Sequence, residues 1–551
     1  MISATTSRRH FLKLGGLSVA SAACAAVRAA EPEAPRLNIL WLTCEDISPD
    51  LGCYGVDYAR TPCLDALAKE GVRYTHAYGI TGVCAPNRSC LVTGVYPSSL
   101  GSHDMRSATR LPACIKCFPE YLRKAGYYCT NNSKTDYNFP VPPAAWNACS
   151  RKAHWRQRKP GQPFFAVFNF TACHESQIRA PEKRYQANTR RLTPGQRHDP
   201  AKAPVPPFHP DTPEVRRDWA RYHDNITALD YWVADRLKEL ADAGLADDTI
   251  VFFFSDHGAG MPGVKKWVWD GGLRVPFIVR CPAKHAEAAA GKPGTATDRL
   301  VSFVDFAPTV LSLAGIRPPE HMQGAAFLGG HAGKPRQYVH AIRDRMAERY
   351  DIVRVVRDQR YQYHRNFLPH LPWSQFVSYT EEMPTMQVWR RLHEEGKLDA
   401  VQERYFQPKP AEELYDNTAD PHQVRNLAAD PKHADVLLRM RAACTAWMQR
   451  TGDLGLLPEY EFHRRAEGRT PWDVGRDPKA NPVADLLAAA DLANARDIAN
   501  LPKLVELLQA ADPAVRWWGA VGLVALGSKA APAADAIAKA TKDAAPNVRI
   551  A

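Results

Sequence analysis

The sequence predicts an α/β protein built on a largely parallel sheet sandwiched by helices, and three observations carry that expectation. Three apolar runs are continuously hydrophobic, as strands buried on both faces are: Leu37–Leu42, Phe164–Phe170 and Ile250–Phe254. Helical spacings lie between them, at Leu64–Glu70 and over Trp219–Ala241, where Ile226, Leu229, Val233 and Leu237 fall on one face. Each run also stops abruptly in polar residues: Glu45-Asp46, His174 and Asp256-His257. Ligands of such sheets sit beyond the carboxyl ends of the strands, so the three polar clusters are expected to share one site.

The rest of the chain is read in order. Residues 1–30 hold Ser7-Arg8-Arg9-His10-Phe11-Leu12-Lys13, a small apolar run Leu14–Val27 and Ala29-Ala30, the pattern of a cleaved twin-arginine export signal. That implies passage through the twin-arginine translocase of a bacterium and a periplasmic or secreted location. The apolar run is shorter than the ~20 residues a bilayer needs, so no stable membrane span is expected. Ser21-Ala22-Ala23 is a poor lipobox, so no lipid anchor is expected on Cys24. Residues 31–333 are expected to form the main domain, which carries the candidate site, and 334–468, shorter in segment and richer in Tyr and Arg, a smaller α+β subdomain. Residues 469–482 read as a linker. In 483–551 Asp512-Pro513-Ala514-Val515-Arg516 returns as Ala545-Pro546-Asn547-Val548-Arg549, which resembles a HEAT-type helical repeat, complete or cut short, and a surface for a protein partner.

With 551 residues, 45% hydrophobic and 24% charged, the chain has the composition expected of a soluble globular protein, not of a disordered chain or an integral membrane protein. Its net charge of +12 favours anionic ligands. No helix-turn-helix, zinc-finger or RNA-binding signature supports nucleic acid. Of 13 cysteines, setting aside Cys24 and Cys84 leaves an odd number, so full pairing is impossible; Cys114 and Cys117 form a C-x-x-C with no second pair. Packed thiols with one or two disulfides are expected.

The most informative stretch is Gly82-Val83-Cys84-Ala85-Pro86-Asn87-Arg88-Ser89-Cys90-Leu91-Val92-Thr93-Gly94. Pro86 suits the first turn of a helix, so residue 84 should sit at the positive helix end with Arg88 one turn in on the same face, a setting for an anionic nucleophile and substrate. The C-x-P-x-R and L-x-T-G pattern resembles that of the formylglycine-dependent sulfatases, within the alkaline-phosphatase-like superfamily. The resemblance runs from Asn38 to about Leu427, through Leu51-Gly52-Cys53-Tyr54-Gly55, Ser255-Asp256-His257-Gly258, Lys265 and Glu413-Leu414-Tyr415-Asp416. The phrases around Glu45-Asp46 and Cys173-His174-Glu175 look most like the heparan N-sulfatase-like branch.

The resemblance implies that a maturation enzyme oxidises Cys84 to formylglycine (3-oxoalanine), whose hydrate attacks sulfur. It also implies one calcium ion held by Glu45, Asp46, Asp256, His257 and residue 84, an oxygen-rich set suited to a hard cation. Glu45 stands where Asp is usual, and His257 where Asn is commoner. Lys134 and Lys265 would bind the sulfate, with the register open between Lys265 and Lys266, and Arg88 is counted with the catalytic residues; Asp136 replaces a histidine usual two positions after the lysine. His174 would protonate the leaving group, and His103 would face the substrate or lie in a surface turn. The function implied is hydrolysis of sulfate esters or sulfamates of an anionic carbohydrate, heparan-type glycosaminoglycan or another sulfated polysaccharide. Two alternatives stand beside it: a phosphodiesterase or phosphonate hydrolase of the same superfamily, and a catalytically inactive binding protein in which the tail matters, to which Asn87 and Glu45 point.

Overall fold

A computed structural model describes residues 37–551; the expected export signal at residues 1–30 and Cys24 lie outside them. The strands in chain order are β1 Asn38–Cys44, β2 Val72–Tyr74, β3 Ala77–Tyr78, β4 Tyr128–Asn132, β5 Ala148–Cys149, β6 Phe164–Phe170, β7 Thr249–Ser255, β8 Phe277–Arg280, β9 Ala296–Thr297, β10 Val301–Ser302, β11 Val339–Arg343, β12 Val353–Arg357, β13 Tyr361–Asn366 and β14 Glu412–Asp416. Eight build the main sheet in the order β5-β4-β6-β1-β7-β8-β2-β9. From β5 to β7 all neighbours are parallel; β8 runs against β7 and β2. The expected mixed, largely parallel sheet is therefore present, and β1 lies at its centre.

Period-two alternation explains the sandwich. Ile39 and Trp41 of β1, with Ile250, Phe252 and Phe254 of β7, face one helical layer that includes Leu91, Phe118, Phe306 and Val310. Leu40 and Leu42 of β1, with Val251 and Phe253 of β7, face the other, formed by Leu64 and Leu67 of the helix Pro62–Glu70 and by Trp219, Ile226, Leu229 and Val233 of the helix Pro213–Asp242. Thr212 caps that long helix by accepting from the Val215 amide, with Pro213 in its first turn. Register brings the carboxyl ends of the three central strands level: Cys44 pairs with Phe170 and with Ser255.

The later part of the chain adds a four-stranded antiparallel sheet, β11-β12-β13-β14, which packs against the main body. Arg354 of β12 is wholly buried, with Nη2 3.0 Å from Asp344 and Nε 2.6 Å from Asp453. A side chain at Gly455 would collide with that guanidinium. Residues 469–482, expected as a linker, instead hold the helix Pro471–Gly475, capped by Thr470, with Trp472 and Val474 buried. Both copies of the repeated motif open helices, Pro513–Leu526 and Pro546–Ile550. The stretch Pro513–Ala540 is long and apolar enough to cross a membrane by length and composition; Trp518 in it is buried, and its indole donates to the Leu456 carbonyl. All twelve cysteines among the described residues are free thiols, so the expected disulfides are absent from them.

Candidate active site

Every element that ends level at the sheet's carboxyl edge delivers a functional side chain. β1 runs into Glu45 and Asp46, β7 into Asp256 and His257, β4 into Lys134, and β6 into His174, which caps the short helix Glu175–Ile178 by accepting from the Ser176 amide. Asp46 has φ +57°, a left-handed bend that turns the chain sharply at the strand end. The residue facing it is Gly260, where a Cβ would lie 2.8 Å from Asp46 Oδ2; any larger residue would press on the carboxylate.

Glu45, Asp46, Asp256 and His257 are all buried. His257 Nε2 is 3.1 Å from Asp46 Oδ1 and 3.5 Å from Asp256 Oδ1. Ligand-type atoms of Asp46, Asp256 and His257 lie within 4.8 Å of one another, as do those of Glu45, Asp46 and His174. Neither Asp46 Oδ1 nor His257 Nε2 makes a hydrogen bond among the described residues. Three buried carboxylates with acceptor atoms left over are the donor set a hard divalent cation takes, so the residues fit calcium. Burial alone would lower the His257 pKa, but Asp256 and Asp46 beside it push it up to about 10.

Cations surround these anions. Lys134 Nζ pairs with Glu45; Lys265 Nζ is 2.5 Å from Asp46 Oδ2 and 3.1 Å from Glu175. Arg88 places Nε and Nη2 at 3.1 and 2.9 Å from Asp256 Oδ2 and Nη1 at 2.9 Å from Asn169 Oδ1. Lys265 is held protonated well above the ordinary lysine range: burial disfavours the charge, but Asp46 and Glu175 outweigh it. His174 is half-buried, and desolvation followed by the Lys265 charge pushes its pKa down to about 4, despite Asp46 and Glu175.

Cys84 opens the helix Cys84–Thr93 and is buried. It lies within electrostatic reach of Lys134, Lys265 and His257, which places the thiol where cations and carboxylates meet. Asn87, one turn on, fixes that placement: its amide nitrogen donates to the carbonyls of Thr81, Val83 and Asp256, and its oxygen accepts from the amides of Ile80 and Thr81. An asparagine here thus ties the loop before Cys84 to the end of β7.

The structure brings Glu45, Asp46, Cys84, Arg88, Lys134, His174, Asp256, His257 and Lys265 into this one cluster. His103 corrects the surface-turn expectation: it is buried with its ring edge-on to Phe462, centroids 5.5 Å apart. Glu175 belongs to the site and was not singled out from sequence; Lys266, the other register considered for Lys265, places its Nζ 3.1 Å from both Glu175 oxygens. Asp136, with φ +54°, pairs with Arg106 and lies 3.9 Å from Lys134 Nζ.

Comparison with known proteins agrees with this geometry. The sulfatase family model matches residues 37–316. An ulvan-active sulfatase of Formosa agariphila is 41% identical over 489 residues, covering 82% of this chain and 81% of that protein. Human N-sulphoglucosamine sulphohydrolase is 26% identical, covering 76% and 90%. Among solved structures, one in complex with its substrate D-glucosamine-2-N,6-O-disulfate superposes with TM-score 0.56 at 17% identity, covering 76% of this chain and 98% of that one. The phosphonate monoester hydrolase of Agrobacterium radiobacter superposes with TM-score 0.55 at 19% identity, covering 77% and 99%. These two likenesses show the shared fold alone. The chain belongs to the sulfatase family, whose members are sulfuric ester hydrolases.

Proposed function

We propose that this protein is an exported sulfatase of an anionic carbohydrate, acting through a formylglycine made from Cys84 and a calcium ion. The observation that carries the reading is the convergence of Glu45, Asp46, Asp256 and His257 with Lys134, Lys265 and Arg88 around the first residue of the helix Cys84–Thr93. Glu45, Asp46, Asp256 and His257 would hold the cation, which when bound supplies Lewis acidity to the oxygens around it. Formylglycine at position 84 would supply the nucleophile.

This chain's own residues account for the rest. Lys134 and Lys265 place fixed positive charge where sulfate oxygens would lie, an arrangement that stabilises developing charge without reorganisation. Arg88 holds Asp256 in place with two donors on one oxygen. His174 is neutral near pH 7 in the free protein, and an arriving sulfate, being anionic, would raise its proton affinity so that it can protonate the leaving oxygen or nitrogen. The named relatives act on ulvan and on N-sulphoglucosamine, so a sulfated polysaccharide is the substrate class we infer. The twin-arginine pattern at residues 7–13 supports a periplasmic or extracellular setting for that activity.

Peptide mass spectrometry tests the reading. Trypsin releases Tyr74–Arg88 as one peptide, and in protein made with a competent maturation system a large fraction should have lost sulfur and gained a carbonyl that forms a hydrazone. Only cysteine at position 84, beside a matured control sulfatase, would overturn it. Faster turnover of phosphodiesters or phosphonates than of sulfate esters would favour the phosphoryl-transfer alternative.

A further inference from the structure

The reacting cluster is sunk below the surface, but one part of its rim is aromatic and open. Between β13 and β14 the chain forms the short helix Ser378–Glu381. The Tyr379 ring lies 6.4 Å from the His174 ring and 5.7 Å from Lys266 Nζ, yet Tyr379 is 37% exposed; Phe376, a turn earlier, is 52% exposed. This segment lies beyond the residues 37–316 that the family model matches.

Arg179 joins the rim to the site. It follows the helix that His174 caps, lays its guanidinium 4.4 Å from the Tyr379 ring centre and ion-pairs through Nη1 with Glu382. That is its sole hydrogen bond among the described residues; Nε is buried without a partner. A guanidinium carries five donors in a planar fork suited to carboxylate or sulfate. Aromatic rings beside it offer a sugar an apolar surface and, at Tyr379, a hydroxyl. An anion on the sugar could use the donors that Glu382 leaves free.

We propose that Phe376, Tyr379 and Arg179 form a subsite for the sugar entering beside His174, and that Arg179 recognises a second anionic group on the substrate, a carboxylate or a second sulfate, in addition to the sulfate that reacts. The inference rests on the sulfated-glycan reading above. It explains why the partly exposed Glu382 is paired there: it holds the arginine in place until an anionic substrate competes for it.

The test is calorimetric binding to calcium-loaded Cys84→Ala protein, which cannot turn the probes over. The probes are three disaccharides: one monosulfated and neutral otherwise, one monosulfated with a uronate carboxylate, and one disulfated. Arg179→Gln should weaken a dianionic probe at least tenfold and the monosulfated neutral one less than twofold; the dianionic probe that suffers identifies the group read. Glu382→Gln should tighten the same dianionic probe, and Tyr379→Ala should weaken all three several-fold. Equal losses for neutral and dianionic probes on Arg179→Gln, or none, would overturn the subsite while leaving the sulfatase reading intact. Failure of every sulfated probe to bind Cys84→Ala, with its melting temperature unchanged, would sink both. Unchanged melting temperatures for Arg179→Gln and Tyr379→Ala exclude misfolding as the cause of lost binding.

Discussion

Replacing Glu175 by Gln removes the one carboxylate that both site lysines share. In the folded protein burial alone would raise the Glu175 pKa, but Lys265 and then Lys266 overcome it and hold the carboxyl at about 2. A carboxyl moved from an ordinary value near 4.5 to about 2 is worth about 3 kcal/mol of stability at neutral pH. The sign follows from the depression: the contribution is complete above the unfolded pKa and is lost as pH falls from about 4.5 towards 2. Urea unfolding of wild type and Glu175→Gln at pH 7 should therefore differ by about 3 kcal/mol, and the gap should narrow steadily as the buffer is taken from pH 5 towards pH 3. The variant should also lower the Lys266 pKa further, since burial already lowers it and Glu175 partly restores it. A gap below about 0.5 kcal/mol at pH 7, or one that does not shrink in acid, would refute the assignment of Glu175 as the counterion of both lysines.

Three further outcomes are expected. Chelation should lower the melting temperature, because a ligand at a hundredfold excess over its Kd stabilises by about 3 kcal/mol; an unchanged melting temperature with activity intact would defeat the metal assignment. Lys134→Met and Lys265→Met should each cost about 3 kcal/mol in kcat/KM, as lost charge-stabilising donors do, and Lys266→Met less, since Lys265 is the lysine bonded to Asp46; a worse Lys266 variant would move the sulfate-binding role by one residue. Because His174 titrates at about 4 in the free protein and must be protonated to donate, kcat/KM should rise as pH falls from 7 towards 4, and His174→Gln should flatten that rise; a profile that His174→Gln leaves unchanged would remove His174 from the proton transfer.

Most of the site was legible because strand ends betray it. β1, β6 and β7 are continuous apolar runs that stop in polar residues, and a parallel sheet brings such stops to one edge. The Cys84 helix was legible for a different reason, its local proline and spacing. What escaped was tertiary. Glu175 meets Lys266 from 91 residues away, and no periodicity announces that meeting. The Tyr379 rim comes from a segment with no strand or long helix to mark it. Residues 469–482 looked like a linker because Pro, Asp and Arg dominate, yet Trp472 finds a buried place that composition does not encode. His103 misled in the opposite sense: its polar neighbours suggested a surface turn, while Phe462, some 360 positions later, covers it.

The guanidinium of Arg354, locked between Asp344 and Asp453, also constrains how the molecule can move. Drawing the segment after the helix Ala434–Thr451 away from β12 would take Asp453 from a buried guanidinium left with Asp344 alone, and breaking such a buried pair costs several kcal/mol. Thermal agitation supplies too little to make such a separation common. The antiparallel sheet and that segment should accordingly melt in one transition, and a protease should find no intermediate from which to excise either.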